Sequence, residues 1–233
     1  ERFATASGAG IALNTSVTAI RTEADRVTTV QTDRGTIATE TVILAAGPFS
    51  RDLTPESIPV ALWRRHRLVV DPDSRIPQDA PMTIDANTGA HWRPHRGGAL
   101  MAWAQPEEDR PATWPVERDA SWLDLILRSD RGVRRLCPFW SDVEPDLSES
   151  NTLFTAGLYT VTPDHKPLIG PARQIGGLWF NTGYSGHGIM GSPSGSRLLA
   201  DLVAGNVQSA DNPFDPGRFA LGAKPPDVER IVL

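Results

Sequence analysis

Three segments near the carboxyl end of the chain decide the fold: Gly157-Leu-Tyr-Thr-Val-Thr-Pro-Asp164, Pro167-Leu-Ile-Gly170 and Gly183-Tyr-Ser-Gly-His-Gly-Ile-Met190. The last segment is a glycine-rich turn that leads into a predicted helix at about 191–204, where apolar residues make one stripe. Such a turn offers free backbone N–H groups and the positive end of the helix dipole. Its glycines let the backbone approach a flat ligand closely. The pattern is typical of a site for an anion or an electron-rich carbonyl, although a plain strand–turn–helix connection also explains the loop taken alone.

The rest of the sequence predicts mostly strands. Residues 11–46 carry β-branched side chains separated by turn signals such as Asp33-Arg34-Gly35. The apolar run Thr41–Gly47 predicts a strand buried in the middle of a sheet. An antiparallel sheet with hairpin turns at 87–89 and 96–98 is predicted from the strand signals at 60–70, 82–93 and 98–104. A helix is predicted over 116–130, followed by irregular or extended chain over 132–145.

Composition and charge exclude several classes of protein. The chain has 233 residues, with 23 Lys+Arg against 28 Asp+Glu and a net charge of −5. This balance, with no basic stripe, argues against nucleic acid as the main partner, and no apolar run is long enough to predict a membrane span. The single cysteine, Cys137, excludes an internal disulfide framework and fits a reducing, cytoplasmic location. The five histidines show no metal-ligand spacing, so no metal site is predicted.

The motifs together resemble a known family. The three opening segments, the run Val42-Ile-Leu-Ala-Ala-Gly47-Pro-Phe-Ser50 and the strand Trp92-Arg93-Pro94 are similar to those of the flavin-dependent amine and amino-acid oxidoreductases. This family contains glycine oxidase, D-amino-acid oxidase, sarcosine oxidase and dimethylglycine dehydrogenase. The resemblance extends from about residue 6 to Phe219.

The resemblance implies a mixed α/β (α+β) fold. Part of a FAD-binding Rossmann-like domain would accompany an antiparallel substrate-domain sheet. In this interpretation residues 1–55 are a partial FAD-binding domain and residues 56–150 form the substrate-binding sheet. Residues 151–233 return to the FAD-binding domain with the glycine-rich loop, a helix and a tail.

The same resemblance implies which residues contact FAD. Val17 would contact the adenine end, and Ala46 and Gly47 would lie near the pyrophosphate and ribityl chain. The loop would lie along the isoalloxazine with residues Gly183, Tyr184, Ser185, Gly186, His187, Gly188, Ile189 and Met190. A helix N-terminus there suits the negative charge of a reduced flavin.

Three positions depart from the family pattern. Gly157 stands where monomeric sarcosine oxidases attach flavin through a cysteine, so non-covalent FAD is expected. Met190 stands where the same enzymes have a lysine. Tyr159 stands near the position of a substrate-binding arginine in glycine oxidase, and a tyrosine can donate a hydrogen bond but cannot form a bidentate ionic clamp.

Three side chains are candidates for the catalytic pocket: Tyr159, His91 and Arg93. Each has a structural alternative, namely a core tyrosine, an ordinary sheet residue and a salt bridge on the outer face of the sheet. For His187, between glycines, backbone geometry is favoured over acid–base work. Asp164 is expected to fix its turn by an Asx-type hydrogen bond.

The sequence lacks one part of the family pattern. Gly8-Ala-Gly10 is followed by Leu13 rather than a third glycine, so it does not form the G-x-G-x-x-G motif that cradles a pyrophosphate. The chain also opens on Glu-Arg-Phe, without methionine. We therefore expect it to be a piece of a longer protein, with the phosphate-binding half missing or on a second chain.

Three functional hypotheses remain. The first is the carboxyl-terminal part of an FAD-dependent enzyme that oxidises the C–N bond of a small amine or amino acid, giving an imine that water hydrolyses. The second is a non-catalytic fragment or subunit that binds no flavin alone and needs a partner chain. The third is a dehydrogenase that passes electrons to a protein acceptor. An uncovered sheet edge would favour association, so a homo-oligomer or a second chain is expected.

Overall fold

A computed structural model describes residues 6–103 and 108–220. The chain divides into two compact units. The first unit combines the residues up to Pro59 with Pro167–Thr182 and the described residues from Ser192 on, and the second combines Val60–Lys166 with Gly183–Gly191. The predicted mixed α/β class is confirmed, because the described residues form three sheets together with helices. The functional labels given to residues 1–55, 56–150 and 151–233 stay predictions.

The first unit contains a three-stranded antiparallel meander. Its strands are β1 (Val17–Glu23), β2 (Arg26–Thr32) and β3 (Gly35–Ala38), in the order β1-β2-β3. The β1–β2 turn uses Ala24 and Asp25, both with positive φ, the conformation that matches the twist of a two-residue hairpin. The turn predicted at Asp33–Gly35 is confirmed.

A second small sheet lies in the same unit. It contains β4 (Val42–Leu44), β10 (Leu168–Pro171) and β11 (Leu178–Thr182), in the order β10-β11-β4 with β4 and β11 parallel. The prediction of a central strand at 41–47 is wrong for the described residues, in which β4 is an edge strand. Leu44 is buried but Ile43 is half exposed, because this apolar run lines an open cavity rather than lying under helices.

Two helices complete the described part of the first unit: α1 (Ser50–Leu53) and α4 (Gly188–Val203), whose first residues belong to the second unit. Leu199 and Leu202 bury the inner side of α4. The helix begins three residues earlier than the predicted start at 191, because its first turn carries exposed side chains and therefore shows no apolar periodicity.

A five-stranded antiparallel sheet organises the second unit, in the order β6-β7-β8-β5-β9. Its strands are β5 (Ala61–Val70), β6 (Thr83–Ile84), β7 (Ala90–His95), β8 (Gly98–Trp103) and β9 (Thr152–Val161). The strands predicted at 60–70 and 98–104 are confirmed, although residue 104 lies outside the described residues. The strand predicted at 82–93 is two strands, β6 and β7, separated by a turn. The β7–β8 hairpin turns at Arg96 and Gly97, both with positive φ.

One face of this sheet carries the core of the second unit. Leu68, Trp92 and Met101 pack there with buried residues of α2 (Ser121–Arg128) and α3 (Trp140–Val143). The predicted helix over 116–130 is therefore too long at both ends. The stretch 132–145, predicted as irregular or extended, contains α3 and a short 3-10 turn at Val133–Arg135. Both pieces are too short for a periodic signal in the sequence.

Replacing a leucine on this face tests the assignment of the core. Leu68 is 1% exposed, whereas Leu153, on the adjacent strand β9, is 57% exposed. We expect Leu68→Ala to lower the free energy of unfolding by about 2–5 kcal/mol, because it removes buried methyl groups and leaves a cavity. The Leu153→Ala control should change it by less than about 1 kcal/mol. Urea unfolding measures both, and equal losses would contradict the assignment.

Candidate functional site

The open face of the five-stranded sheet carries a cavity of about 530 Å³. Alternate residues of a strand point to opposite faces of the sheet. The strand register therefore determines which residues share the face opposite the core. Arg65 pairs with Gly157, and Trp63 pairs with Tyr159. His91 and Arg67 both pair with Ala102 from its two sides. The cavity is lined by Arg65, His66, Arg67, His91, Leu100, Ala102, Trp103, Trp114 and residues 155–159.

His91 is a buried, neutral histidine in this cavity. Its Nδ1 lies 2.9 Å from the carbonyl oxygen of Gly89. A carbonyl can only accept, so Nδ1 carries the proton and Nε2 is the basic nitrogen. Burial lowers the pKa of His91 below its ordinary value, the Gly89 hydrogen bond partly opposes this, and the charge of Arg65 lowers the pKa further. The imidazole is therefore a proton acceptor at neutral pH.

Tyr159 lies in the same cavity, and the guanidinium of Arg65 lies 5.5 Å from the centre of its ring. Arg93 is on the same face by register, but it is not among the residues that line the cavity, and its Nη1 donates a hydrogen bond of 3.2 Å to the carbonyl of Pro94. The structure thus brings Tyr159 and His91 together and leaves Arg93 outside.

The sequence interpretation did not single out Arg65. The signal was present in Ala61-Leu-Trp-Arg-Arg-His-Arg-Leu-Val-Val70, where Trp63, Arg65 and Arg67 share one face of a predicted strand and Leu62, His66 and Leu68 share the other. Two charged residues, Arg65 and Arg67, at alternate positions of a strand rich in apolar residues indicate a polar face that can bind a ligand.

The glycine-rich loop is held by hydrogen bonds to β9 and the residue after it. The backbone N–H of Ser185 donates to the carbonyl of Thr160 at 2.8 Å, and the N–H of Thr162 donates to the Ser185 hydroxyl at 3.3 Å. Ser185 is completely buried. Gly183, Ser185 and Gly186 have φ of 72°, 49° and 93°. Two of these three left-handed positions are glycine, the residue that adopts this conformation at least cost.

The start of α4 exposes its backbone and two apolar side chains. Ile189 is 94% and Met190 68% exposed, while the first N–H groups of any helix have no intrahelical partner. Tyr184 packs beneath this turn, since a Cβ on Gly191 would lie 3.3 Å from its ring. Burial raises the pKa of Tyr184. His187 is half-buried and its N–H donates to the carbonyl of Tyr184 at 2.9 Å.

The turn after strand β9 is fixed by hydrogen bonds to Asp164, as predicted. The carboxylate Oδ1 of Asp164 accepts from the backbone N–H of Lys166 and from the hydroxyl of Thr162, both at 3.1 Å. Asp164 is fully buried, so it serves the turn that connects β9 to β10.

A second cavity, of about 700 Å³, lies in the first unit. Val17 and Ala46 line it, together with apolar residues of β4. Gly47 is adjacent in sequence, with φ of 54° and no atom within 4 Å of the place a Cβ would occupy. The hydroxyl oxygen of Ser50 is buried and has no hydrogen-bond partner among the described residues. An apolar cavity beside open backbone fits a flat cofactor.

Two features are absent from residues 6–103 and 108–220. In this part of the chain no group of histidine, cysteine, aspartate or glutamate side chains is placed to hold a metal ion. No helix there combines the length and apolarity needed to cross a bilayer.

Comparison with known proteins gives consistent matches. A family model described as "DAO: FAD dependent oxidoreductase" matches residues 1–202. The chain is 28% identical over 198 residues to glycine oxidase from Pseudomonas aeruginosa, covering 83% of this chain and 50% of that protein. It is 27% identical over 236 residues to mitochondrial sarcosine dehydrogenase from Mus musculus, covering 94% of this chain and 24% of that protein.

Solved structures share the fold. Glycine oxidase from Geobacillus kaustophilus matches with a TM-score of 0.70 and 24% identity, over 92% of this chain and 55% of that chain. The chain therefore spans about half the length of the glycine oxidases it matches and about a quarter of the sarcosine dehydrogenase.

The lowered pKa of His91 predicts how stability depends on pH. The folded chain binds this proton less readily than the unfolded chain, so stability is full above the ordinary histidine value of about 6.5 and is lost as the pH falls below it. We expect urea midpoints to fall between pH 8 and pH 5.5, and His91→Gln to reduce that fall. The His187→Gln control should leave the fall in place. A fall that is identical in His91→Gln would contradict the assignment.

Proposed function

Since the chain belongs to the DAO family of FAD-dependent oxidoreductases, we propose that it is the carboxyl-terminal part of an enzyme that oxidises the C–N bond of a small amine or amino acid. The observation that carries this proposal is the cavity on the open sheet face. Buried, neutral His91 and Tyr159 line this cavity together with aromatic side chains. Polar and aromatic side chains around one cavity can orient a substrate, which this chemistry requires.

We propose that FAD is the cofactor, held by the residues predicted from the sequence. When bound, FAD supplies the acceptor for the hydride that leaves the carbon next to the amine nitrogen. Val17, Ala46 and Gly47 would hold one end of it. The loop from Gly183 to Met190 would present the N-terminus of α4 to its electron-rich carbonyl.

His91 has a clear task in this proposal. An amine substrate is mostly protonated at neutral pH, and its nitrogen lone pair is needed to support the leaving hydride. His91, with Nδ1–H donated to Gly89, has Nε2 ready to accept a proton from the ammonium group. The hydroxyl of Tyr159 would orient the substrate by a hydrogen bond. Arg93, which lies outside the cavity lining, has the weaker support as a pocket residue.

The expectation of non-covalent FAD is supported by the residue at position 157, which has no thiol for a thioether bond. Gly157 cannot form a thioether bond. Cys137, the one cysteine in the sequence, packs against the core of the second unit, and its Sγ accepts a hydrogen bond of 3.2 Å from the indole nitrogen of Trp92. Its thiol therefore packs in the core beside Trp92.

A partner for this chain is also part of the proposal. The matched glycine oxidase is twice as long as the aligned region, and within the described residues one side of β4 and the apolar side chains Ile43, Ile189 and Met190 are open. The rest of the protein, a second chain or a second copy would cover them. The competing hypotheses are a subunit that binds no flavin alone and a dehydrogenase with a protein electron acceptor.

An absorption spectrum of the purified material, with intact masses, distinguishes the first two hypotheses. A visible flavin band together with small-amine or amino-acid oxidation supports the enzyme, and the masses show whether a second polypeptide is present. A colourless chain that also fails to bind added FAD supports the subunit that needs a partner. Oxidation that proceeds with an artificial electron acceptor but not with oxygen favours the dehydrogenase.

A bulky residue at position 186 tests the glycine loop. Gly186 has φ of 93° and is exposed, so Gly186→Val forces a strained backbone at the proposed flavin surface. We expect flavin retention to fall at least about tenfold, since even ~1.4 kcal/mol of lost binding has that effect. Flavin stoichiometry measures this.

Gly205→Val is the matched control, because Gly205 also has a positive φ of 76° and open space around it but ends helix α4. It imposes the same backbone strain without touching the loop. Equal flavin content in the Gly186→Val protein and the unmodified protein would refute the role of the loop.

A further inference from the structure

We propose that Asp85 and Trp103 are positioning residues that keep the proton of His91 on its Nδ1 atom. Both act through the backbone of the turn that precedes His91. The inference rests on the proposed function, in which Nε2 of His91 accepts a proton from the substrate amine. It names the residues that keep the imidazole in the form able to accept that proton.

The turn that precedes His91 connects β6 to β7. Residues 85–89 form it, and His91 pairs with Ile84 across the hairpin. Gly89, the last residue of the turn, has a φ of 78°, a conformation that glycine adopts at least cost. Its carbonyl oxygen lies 2.9 Å from Nδ1 of His91. The position of this one carbonyl therefore decides which ring nitrogen carries the proton.

Asp85 holds the turn at its first residue. The carboxylate Oδ1 accepts from the backbone N–H of Asn87 at 2.9 Å, the pattern of an Asx turn. The carbonyl of Asp85 accepts from the N–H of Gly89 at 2.7 Å, and its own N–H donates to the carbonyl of Ala90 at 2.9 Å. The hydrogen bond from Asn87 is the main cause that lowers the pKa of Asp85, so the side chain is a carboxylate at neutral pH.

Trp103 holds the same turn from the neighbouring strand. It is the partner of Ala90 in the pairing of β7 with β8, and it is buried. Its indole Nε1–H donates to the carbonyl of Thr88 at 2.5 Å. Because an indole nitrogen can only donate, this contact restrains the direction in which the Thr88 carbonyl points.

The two peptide groups on either side of Gly89 are hydrogen-bonded at both ends. In the first group, the carbonyl of Thr88 accepts from Trp103, and the N–H of Gly89 donates to the start of the turn. In the second group, the carbonyl of Gly89 accepts from His91. The N–H of that group belongs to Ala90 and donates to the Thr88 hydroxyl at 3.3 Å. Since each peptide group is planar, partners at both ends restrain its orientation.

A carbonyl restrained in this way selects one tautomer of the imidazole. The Nδ1–H form donates a hydrogen bond to it, whereas the Nε2–H form would place the lone pair of Nδ1 against the carbonyl oxygen. Only the Nδ1–H form leaves Nε2 as the basic nitrogen, which the proposed proton transfer requires. His91 is buried, and a polar contact in such surroundings is stronger than the same contact in water.

Nitrogen-15 NMR of labelled histidine side chains tests the inference, because the chemical shifts of Nδ1 and Nε2 report which nitrogen carries the proton. The spectrum of His91→Gln identifies the signals of His91. We expect the Nδ1–H form to dominate in the unmodified protein at pH 8. In Asp85→Ala and in Trp103→Phe the ratio of the Nδ1–H form to the Nε2–H form should fall about threefold or more, the effect of weakening an ordinary hydrogen bond. Both variants should also lower the pKa of His91, since the hydrogen bond to Gly89 raises it.

Two control variants separate this role from a structural one. Asp85→Asn retains an oxygen that can accept from the N–H of Asn87, and should keep the tautomer ratio of the unmodified protein. Asp79→Ala removes an exposed carboxylate from the same unit and should also leave the ratio unchanged.

Each outcome decides the assignment. An Nε2–H form that dominates in the unmodified protein overturns the inference, and so does a ratio that is unchanged in both Asp85→Ala and Trp103→Phe. A ratio unchanged in one of the two variants removes that residue from the assignment. If Asp85→Ala does not fold, Trp103→Phe decides, because it retains a buried aromatic ring and removes the indole N–H.

The outcome is distinguishable from that for the proposed function. A tautomer ratio that responds to Asp85 and Trp103, in a protein that oxidises no amine or amino acid, would support the restraint on His91 and overturn the proposed function. Amine or amino-acid oxidation by a protein whose tautomer ratio responds to neither residue would support the proposed function and overturn the positioning role.

Discussion

The pairing of β5 with β9 is the interaction on which the second unit depends. The two strands are in register over their whole length, from Ala61 opposite Val161 to Val70 opposite Thr152. Because the pairs alternate between faces, one continuous ladder supplies both the support for the core and the floor of the cavity. The glycine-rich loop is then anchored by Thr160 of β9 and by Thr162, which follows the strand. A change of one residue in this register would exchange the two faces, moving Arg65 into the core and Leu68 into the cavity.

The two faces show how a protein separates stability from chemistry. Buried tryptophan, leucine and methionine side chains hold the sheet to α2 and α3, and the buried apolar area supplies the stabilisation. The open face carries arginine, histidine and tyrosine, which contribute little to that packing. His91 belongs to both, because it is buried yet titratable, and its lowered pKa links the stability of the unit to the protonation state that the proposed chemistry needs.

Most of the fold was predictable, and the cavity was only partly so. Strand signals over 60–70 and 98–104 and the glycine-rich loop were enough, because β-branched runs and glycines act locally. The edge position of β4 was not predictable, since an apolar run is the same whether helices or a cavity cover it. The alternation within Ala61–Val70 placed Arg65 on a polar face, but its position beside Gly157, far along the chain, is set by the strand register alone. Tyr159 and His91 could be named from the sequence because the motifs that contain them are local, and both line the cavity; their roles stay predictions.

The interleaved order of the two units has a consequence for how the chain is made. β4 is synthesised early, but its partner β11 comes much later: the hydrogen bond from the Thr182 hydroxyl to the Gly47 carbonyl joins residues 135 positions apart. At about 5–20 residues per second, roughly 7–27 s pass on the ribosome before that sheet can close. During that interval the second unit can complete its own antiparallel sheet, while the apolar β4 segment has no strand to pair with in its own sheet. Val42–Leu44 is therefore the part of this sheet that stays unpaired longest during synthesis, since β11 is its partner within the described residues.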